Sequence, residues 1–317
     1  MPRRPDVVVV GAGVSGLTTA VCLAEAGLAV QVRTRDRPRA TTSCAAGAIW
    51  GPYLVEDDRA LMWSELTRSV LTGLAREPDS GVRLRFGLEA GRAPADPPAW
   101  TVAMADFRPG TPGELPDGYA TGWWYTAPVV DMPVYLDYLV SRLRDARATV
   151  EFRTVASLRE AAADALVTIN CAGYGARALV PDDLVSPNRG QLLVIDNPGV
   201  DNFFVEHEEA PDPVYYLPQS GGGMVLGGSA EPGRVDPWPD LAIAAAIQHR
   251  CARIEPLLAG ARVREHRVGL RPSRPRVRLE RTDLGGRHVI HNYGHGGSGV
   301  TLSWGCAAEV LDLVRQL

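Results

Sequence analysis

A short glycine run near the start of the chain has the spacing of a phosphate-binding turn. The segment GAGVSG, residues 11–16, follows four consecutive valines and precedes an apolar helical stretch. A buried strand, a glycine turn and a helix place bare backbone N–H groups at a helix N-terminus, where a pyrophosphate can bind. Asp36 lies 20 residues after Gly16, where a carboxylate can accept hydrogen bonds from a dinucleotide ribose. The sequence therefore predicts a dinucleotide site; the alternative is a tight strand–helix turn that binds nothing.

A second glycine turn lies close to the end of the chain. Residues 294–299, GHGGSG, follow a predicted strand at 288–293, HVIHNY, and precede a predicted helix from about Thr301 to Leu317. The N-terminus of that helix would stabilise an anion, such as the N1 and O2 edge of a reduced flavin. The alternative is a turn that only caps the final helix. Two such turns favour a long cofactor over the nicotinamide of a simple dehydrogenase.

The elements between the two turns divide into two kinds. A helix at about 131–147, a strand at 149–152, a short helix near 157–163 and a buried strand running into a glycine turn at 165–173 are typical of a chain returning to a parallel sheet. Three further runs predict strands of a more antiparallel region, at 191–195, 213–217 and 224–228. A helix is expected to follow them at 240–259.

Composition excludes several classes of protein. The 317 residues are 45% hydrophobic and 22% charged, which is typical of a globular protein of about two domains. A net charge of −4 gives no bulk attraction to nucleic acid or to an anionic membrane, and no apolar run is long enough to span a bilayer. The five cysteines lack paired spacing, so we expect neither a disulfide framework nor a metal site. A cytoplasmic location without a leader segment is the expectation.

Several segments together resemble the D-amino-acid oxidase family of flavoproteins over nearly the whole chain. GLRPSRPRVRLE followed by HNYGHGGSGVT carries the resemblance most specifically. The segments that resemble the family are VVGAGVSGL at 9–17, TTSCAAGAIWGPY at 41–53, GWWYTAP at 122–128, INCAGYGARAL at 169–179, RGQLLVI at 189–195, VYYLP at 214–218, VGLRPSRPRVRLE at 268–280 and HNYGHGGSGVTLSWG at 291–305.

The resemblance implies an α/β fold with a Rossmann-like FAD-binding domain and a second α+β domain built on a largely antiparallel sheet. The FAD-binding domain is expected to be discontinuous, from residues 1–54, 131–190 and 262–317. The substrate-binding domain would comprise residues 55–130 and 191–261. By family habit the protein would be a homodimer.

The same resemblance assigns residues to FAD by position in these segments. Gly11, Gly13 and Gly16 match the pyrophosphate turn. Segment 41–43 would approach the phosphates, and segment 46–48 would lie beside the isoalloxazine. The residues implied for FAD are Gly11, Gly13, Val14, Ser15, Gly16, Asp36, Arg37, Thr42, Ser43, Ala46, Gly47, Ala48, Cys171, Ala172, Gly173, Arg271, Gly294, Gly296, Gly297, Ser298, Gly299, Val300 and Thr301.

For the substrate, the resemblance implies that Arg271 binds the α-carboxylate, since a planar guanidinium can bind a carboxylate in a bidentate way. Tyr215 would support that carboxylate, the Gly297 carbonyl would hold the amino group, and Tyr53 would line the entrance. Without the family pattern, Arg271 would be one of eight arginines between Arg262 and Arg281, which is typical of a solvated face.

The implied reaction is hydride transfer from the substrate Cα to flavin N5, followed by reoxidation by O2, giving a 2-oxo acid, ammonia and hydrogen peroxide. Such chemistry depends on positioning, so no residue is expected to act as acid or base. His295 is therefore interpreted as structural, although histidine titrates near neutrality. Cys44 and Cys171 are interpreted as small core residues.

The run from Phe203 to Pro213 is expected to be a short loop without the lid tyrosine of some family members, and so to leave a more open site. Its four acidic residues, Glu206, Glu208, Glu209 and Asp212, are interpreted as a solvated acidic loop, the alternative being that they steer basic substrates. Neutral or basic D-amino acids are the expected substrates. A D-aspartate oxidase, a glycine or secondary-amine oxidase, a flavin carrier without turnover, and a nicotinamide-dependent dehydrogenase remain the alternatives.

Overall fold

The structure is a computed structural model that describes residues 4–52, 57–207 and 212–317. Its helices are α1 (Val14–Glu25), α2 (Ala60–Leu74), α3 (Ala99–Val102), α4 (Met132–Asp145), α5 (Leu158–Ala163), α6 (Ala176–Leu179), α7 (Leu241–Ile254) and α8 (Gly299–Arg315). Its strands are β1 (Val7–Val10), β2 (Val30–Thr34), β3 (Ala48–Ile49), β4 (Val82–Gly91), β5 (Ala105–Pro109), β6 (Thr121–Val130), β7 (Thr149–Phe152), β8 (Val167–Asn170), β9 (Ser186–Asp196), β10 (Phe203–Glu206), β11 (Tyr215–Pro218), β12 (Gly223–Gly227), β13 (Glu231–Pro232), β14 (Val263–Ser273), β15 (Arg278–Asp283) and β16 (His288–Tyr293).

A six-stranded sheet of order β15-β16-β8-β1-β2-β7 carries both glycine turns. All its pairings are parallel except that of β15 with β16. The four valines of β1 are buried: Val7 and Val9 pack in the cluster that contains α1, while Val8 and Val10 pack with Ala161 of α5. Helices on both faces explain why the strand has no polar alternation. The expected α/β fold with a parallel sheet is confirmed.

A second, ten-stranded sheet has the order β13-β9-β12-β11-β10-β4-β6-β3, with β14 paired to β9 and β5 paired to β6. It is antiparallel except for the β4–β10 pairing. Its inner face carries Tyr125, Phe203 and Val225, which belong to the same core cluster as α1 and β1. Its outer face packs against α7. The largely antiparallel second region is thus also as expected.

The element bounds differ from the sequence predictions in places. The predicted helix at 240–259 ends at Ile254, and a separate 3₁₀ turn, Pro256–Leu258, follows it. Part of the predicted short loop, Phe203–Glu206, is strand β10 instead. The segment 263–273 forms β14 and pairs with β9 in the ten-stranded sheet. The exact division of the chain into two domains stays a prediction.

Within the described part of the chain, none of the helices combines the length and the apolar composition needed to cross a membrane.

Candidate active site

The turn after β1 is built from backbone that approaches other backbone too closely for side chains. Gly11 has a φ of +109°, and a Cβ there would lie 2.5 Å from the carbonyl oxygen of Cys171. A Cβ on Gly16 would overlap the carbonyl oxygen of Gly11. The Gly11 N–H donates to the carbonyl of Arg33 at 2.8 Å, which fixes the turn beside the end of β2. The predicted strand, turn and helix are therefore present.

A short 3₁₀ helix, Thr42–Ala45, covers the beginning of α1. The hydroxyl of Ser43 accepts a hydrogen bond from the Val14 N–H at 2.9 Å, and a Cβ on Gly13 would lie 3.0 Å from the same oxygen. Thr42 packs on β14, where a Cβ on Gly269 would lie 3.2 Å from its Cγ2. Segment 41–43 thus lies at the N-terminus of α1, where the resemblance places the phosphates.

The second glycine turn joins β16 to α8. Gly294 and Gly296 have φ values of +83° and +54°, a left-handed conformation that other residues adopt with strain. Ser298 is the N-cap residue of α8. The Gly296 N–H donates to the carbonyl of Pro272 at 3.0 Å, so the turn is tied to β14 next to Arg271.

The N-termini of α1 and α8 lie next to each other. A Cβ on Gly299 would lie 3.9 Å from the Cγ1 of Val14. The Ser15 hydroxyl donates to the Asn292 carbonyl at 3.3 Å, and the Thr301 hydroxyl donates to the Gly51 carbonyl at 3.1 Å. The first N–H groups of a helix have no acceptor within the helix, and the two helix dipoles add positive potential there. A glycine-lined cradle with two helix N-termini fits an extended dinucleotide that carries negative charge at two places.

Asp36 and Arg37 follow the end of β2, on the same side as the first turn. The Asp36 carboxylate pairs with Arg35 at 2.7 Å, and its carbonyl accepts from the Thr34 hydroxyl at 2.7 Å. The Arg37 guanidinium lies 5.8 Å from the centre of the Phe152 ring. A ribose ligand would compete with Arg35 for the carboxylate, so the ribose role stays a prediction.

Residues 171–173 line the first turn from β8. Burial raises the pKa of the Cys171 thiol to about 12, and burial also raises the pKa of Cys44. The Ala172 N–H donates to the side-chain oxygen of Asn170 at 3.2 Å, and Gly173 has a φ of +56°. Both cysteines are thiols at neutral pH, which suits the interpretation of them as packing residues.

Two polar side chains meet on the inner face of the ten-stranded sheet. Tyr215 begins β11 and Arg271 lies near the end of β14. Arg271 Nη1 donates to the carbonyl of Ser229 at 3.0 Å. Burial raises the pKa of Tyr215, and the nearby charge of Arg271 opposes that rise. The phenol therefore remains a hydrogen-bond donor beside a guanidinium.

Glycines form the floor under both of these side chains. A Cβ on Gly227 would overlap the Tyr215 ring, and a Cβ on Gly47 would lie 2.8 Å from its Cε2. A Cβ on Gly190 would lie 2.6 Å from Arg271 Nη2. The guanidinium and the phenol thus lie flat on bare backbone from three segments. We call Arg271 and Tyr215 the clamp, and Gly47, Gly190 and Gly227 its glycine floor.

The remaining predicted substrate residues differ in what the structure says of them. Gly297 lies in the exposed part of the second turn, one residue beyond the Gly296 N–H that is tied to Pro272. Of the residues implied for the isoalloxazine, Ala46 and Ala48 flank Gly47, where a Cβ would lie 2.8 Å from Cε2 of Tyr215. Tyr53 lies outside the described residues.

The two histidines of the C-terminal motif are buried and neutral. Burial lowers the pKa of His295 to about 4, and its Nε2 hydrogen-bonds to the Asn292 side-chain oxygen at 3.1 Å. Burial likewise lowers the pKa of His291 to about 4, and its Nε2 hydrogen-bonds to the Thr282 hydroxyl at 3.2 Å. Both rings hold strand and turn together, an arrangement that suits a structural role.

Two acidic residues of the run at 206–212 lie in the described part of the chain, and each pairs with an arginine other than Arg271. Glu206 belongs to β10, is buried, and pairs with Arg92 at 2.7 Å on the outer face of the sheet. Asp212 is exposed and lies 3.7 Å from Arg250. For Glu206, the interpretation as a solvated loop residue is therefore wrong, whereas the steering of basic substrates stays untested. Glu208 and Glu209 lie outside the described residues.

Sequence reasoning missed the carboxylate that does lie on the inner face. Glu89 of β4 is fully buried, with its oxygens bonded to Tyr125 and His207 at 2.7 and 2.5 Å. Strand β4 reads as alternating charged and apolar residues from Arg83 to Phe86, but residues 87–91 are all buried. The signal available in the sequence was a glutamate within a short stretch of otherwise uncharged small and apolar residues at 87–91.

The arrangement defines a dinucleotide-binding α/β protein in which Arg271 and Tyr215 lie on the sheet next to the second glycine turn. The model of the family described as "DAO: FAD dependent oxidoreductase" matches residues 6–313. The D-amino-acid oxidase of Rubrobacter xylanophilus is 50% identical, covering 96% of this chain and 94% of that protein. The D-aspartate oxidase of Homo sapiens is 32% identical, covering 98% and 94%. Glycine oxidase from Geobacillus kaustophilus has the same fold, with a TM-score of 0.84, 19% identity, and coverage of 99% of this chain and 95% of that chain.

The chain belongs to the FAD-dependent oxidoreductase family. Its cofactor is FAD, and the cradle between the two glycine turns fits that cofactor by its backbone donors and its lack of side chains.

Proposed function

We propose that this protein catalyses the oxidative deamination of D-amino acids to 2-oxo acids, ammonia and hydrogen peroxide. The observation that carries the proposal is the clamp, Arg271 and Tyr215 seated on glycine beside the second turn. A second D-amino-acid oxidase, from Streptomyces coelicolor, is 47% identical over 98% of this chain. Bound FAD supplies the capacity to accept a hydride from the substrate Cα and to return two electrons to O2.

In this proposal Arg271 binds the α-carboxylate through two parallel N–H···O bonds and fixes its plane. The Tyr215 hydroxyl donates a hydrogen bond to the same carboxylate, since burial raises its pKa and keeps the phenol protonated. The carbonyl of Gly297 accepts a hydrogen bond from the substrate amino group. With carboxylate and amine both held, only one enantiomer directs its Cα–H toward the cofactor.

The chain supplies no acid or base to the reacting atoms in this mechanism. His295 is neutral above a pKa of about 4 and is hydrogen-bonded to Asn292. The amino group gives up its proton to solvent before the Cα–H bond breaks, and water then hydrolyses the imino acid to the 2-oxo acid and ammonia. Catalysis by the chain is positioning of the substrate.

The inner face argues against the nearest alternative, a D-aspartate oxidase. A substrate with a second carboxylate needs a cation beyond the clamp. The inner face instead carries Glu89, which is in register with Tyr215 across β10 and is bonded to a phenol and an imidazole. We therefore expect neutral or basic D-amino acids to be preferred over D-aspartate. A glycine or secondary-amine oxidase stays the other alternative, and substrate profiling separates the two.

The test is a visible spectrum of the purified protein, followed by anaerobic addition of D-alanine, D-arginine, D-aspartate and the L-forms. We expect a flavin band that bleaches with D-forms alone and most slowly with D-aspartate. A flavin band indifferent to every amino acid would contradict the proposed activity while leaving the family unchanged.

We also propose that the protein is a cytoplasmic homodimer. All five cysteines are free and half-buried or buried, which suits a reducing compartment. Helix α2 exposes Leu61 and Met62, apolar side chains that a second copy could cover. Light scattering on the eluted holoenzyme tests the assembly, and a monomer at micromolar concentration would contradict it.

A further inference from the structure

Three consecutive residues of β9 divide their side chains between the two faces of the ten-stranded sheet. Gly190 lies under the Arg271 guanidinium on the inner face, where a Cβ would come within 2.6 Å of Nη2. Successive residues of a strand point to opposite faces, so Arg189 and Gln191 lie on the outer face. That face also carries Leu193, which packs with α7. The clamp therefore uses only the glycine of these three residues, although the side chains on either side of it are buried as well.

The segment 229–240, which connects β12 to α7, supplies acceptors for the Arg189 guanidinium. Arg189 Nε donates to the Asp236 carbonyl at 3.0 Å, Nη1 donates to the Glu231 carboxylate, and Nη2 donates to the Trp238 carbonyl. The Arg189 side chain has no exposed surface. Burying a charge is costly unless the charge is paired and hydrogen-bonded. Arg189 and the segment 229–240 therefore stabilise each other.

Gln191 ties both ends of the same segment to β9. Its side-chain amide donates to the Asp240 carbonyl at 2.8 Å and accepts from the Asp240 N–H at 2.8 Å. At the other end, the Gln191 backbone N–H donates to the Ser229 hydroxyl at 3.0 Å, and the Ser229 N–H donates to the Gln191 carbonyl at 3.1 Å. The Gln191 side-chain oxygen also accepts from Arg189 Nη2 at 3.2 Å, which joins the two anchors.

Ser229 is the residue through which this outer-face network contacts the clamp. Its carbonyl accepts a hydrogen bond from Arg271 Nη1 at 3.0 Å. A guanidinium is planar, so a bond at one nitrogen and the flat contact with Gly190 together fix the plane of its other N–H groups. Two parallel N–H···O bonds to a carboxylate depend on that plane. The orientation of Arg271 therefore depends on where the segment 229–240 holds the Ser229 carbonyl.

We propose that Arg189 is a positioning residue for the reaction, which holds the segment 229–240 against β9 and thereby fixes the Ser229 carbonyl that orients Arg271. Arg189 lies on the outer face and contacts neither substrate nor cofactor, so it acts through Ser229 and Arg271. The inference rests on the proposed function, because the carboxylate that Arg271 would bind belongs to the substrate of that reaction.

The first experiment is a double-mutant cycle with Arg189→Gln and Arg271→Ala. We expect Arg189→Gln to lower kcat/KM for D-alanine about tenfold, mainly through KM, because a misplaced guanidinium binds the carboxylate less well. In the Arg271→Ala holoenzyme the same substitution should change the residual rate of flavin bleaching by less than about twofold, since the arginine through which it acts is gone. A merely structural role would add its loss in both backgrounds.

Arg234→Gln is the matched control. Arg234 pairs with the carboxylates of Glu231 and Asp236, but it lies within the segment 229–240 and does not tie that segment to β9. Its substitution should leave kcat/KM at the wild-type value. Equal losses from Arg189→Gln in both backgrounds, or no loss in the wild-type background, would overturn the proposal. Should Arg189→Gln fail to fold, Ser229→Ala provides the second variant, with the same expected dependence on Arg271.

A binding measurement tests the orientation of Arg271 without turnover. Propionate has the carboxylate of D-alanine but no amino group, and perturbation of the flavin spectrum gives its Kd. We expect Arg189→Gln to raise this Kd about tenfold. Amide hydrogen exchange should become faster in peptides from the segment 229–240 and stay unchanged in α1.

An equal propionate Kd in the wild-type protein and in Arg189→Gln, or equal hydrogen exchange in the segment 229–240, would also overturn the proposal. Failure of the proposed function has a different signature. In that case no D-amino acid would bleach the wild-type flavin, while the propionate Kd would still respond to Arg189→Gln.

Discussion

Glycine has two different tasks in the two sheets. Beside the six-stranded sheet, Gly11 in the turn after β1 and Gly16 in the first turn of α1 let backbone approach backbone, since a Cβ at either would meet a carbonyl group. In the ten-stranded sheet, Gly190 and Gly227 let side chains lie flat on a strand, since a Cβ there would meet the Arg271 guanidinium or the Tyr215 ring. The first arrangement shapes the cofactor cradle, and the second sets how closely the Arg271 and Tyr215 side chains approach the sheet.

The difference predicts two separable kinds of failure. Carbonyl groups in a turn cannot move away without changing the fold, whereas a ring or a guanidinium can rotate away at smaller cost. Changes at the turn should therefore reduce stability and FAD retention together. Changes at the glycine floor should spare both and reduce the efficiency of catalysis.

The largest expected effect is the loss of the clamp itself. Arg271→Ala removes a bidentate, charge-assisted interaction with the substrate carboxylate, on the order of 3 kcal/mol of transition-state stabilisation. We expect kcat/KM for D-alanine to fall by about a hundredfold or more, with FAD still bound. Steady-state kinetics with the flavin spectrum as a check measures both.

A control for this loss lies on the same strand. Arg264 pairs with Asp196 at the surface of β14, so Arg264→Ala should leave kcat/KM near the wild-type value. Normal oxidation of D-amino acids by Arg271→Ala would show that the clamp is assigned to the wrong arginine.

The next effect concerns the turn after β1. In Gly16→Ala the new Cβ would overlap the Gly11 carbonyl oxygen, so the turn must shift. We expect destabilisation of about 1–3 kcal/mol and weaker FAD retention, measured by thermal unfolding and by the flavin content after gel filtration. Gly73→Ala is the control: Gly73 is exposed within α2 with open space around it, so alanine there should stabilise slightly. If Gly16→Ala kept the wild-type stability and flavin content, the distinction between the two kinds of glycine would be wrong.

The glycine floor should give the complementary result. Gly227→Ala forces the Tyr215 ring off β12, so we expect about a tenfold lower kcat/KM, roughly 1.4 kcal/mol, with FAD retained. Gly223→Ala on the same strand is the matched control, since its Cβ would lie 3.4 Å from the nearest atom, at the far end of Arg264. Loss of FAD from Gly227→Ala would contradict a role confined to the clamp.

These two regions also differed in how well the sequence predicted them. The first turn follows from local spacing alone, because the valines, glycines and helix are contiguous in the chain. The association of Arg271 with Tyr215 depends on β14 pairing with β9 and β9 with β12. Long-range register of this kind leaves little local signal, so it came from the family resemblance instead.

Register also explains the error at the acidic run. Glu206 and Val205 are neighbours in sequence, but they point to opposite faces of β10, and Glu206 meets Arg92. Glu89 reaches the inner face beside Val205 because β4 pairs with β10 in parallel. That pairing joins two strands that are far apart in the chain and leaves no local pattern. Sequence reasoning therefore considered only the acidic residues visible in one short run and not a single glutamate in a distant strand.

The smallest effect is a pH dependence that belongs to the second turn. His295 has a pKa lowered by burial to about 4 in the folded protein, against about 6.5 unfolded. The unfolded state therefore binds more protons between these values, and stability falls as the pH falls from 6.5 to 4. One histidine contributes a slope of at most about 1.4 kcal/mol per pH unit, and His291 adds a similar one.

Substitution of His295 isolates its contribution to the pH dependence of stability. In His295→Gln the slope of unfolding free energy against pH should decrease, whereas His249→Gln, at an exposed position of α7, should leave it unchanged. Chemical denaturation at a series of pH values between 4 and 7 measures both slopes. An equal slope in both variants would mean that His295 is protonated in the folded turn, and the interpretation of it as a neutral structural residue would then be wrong.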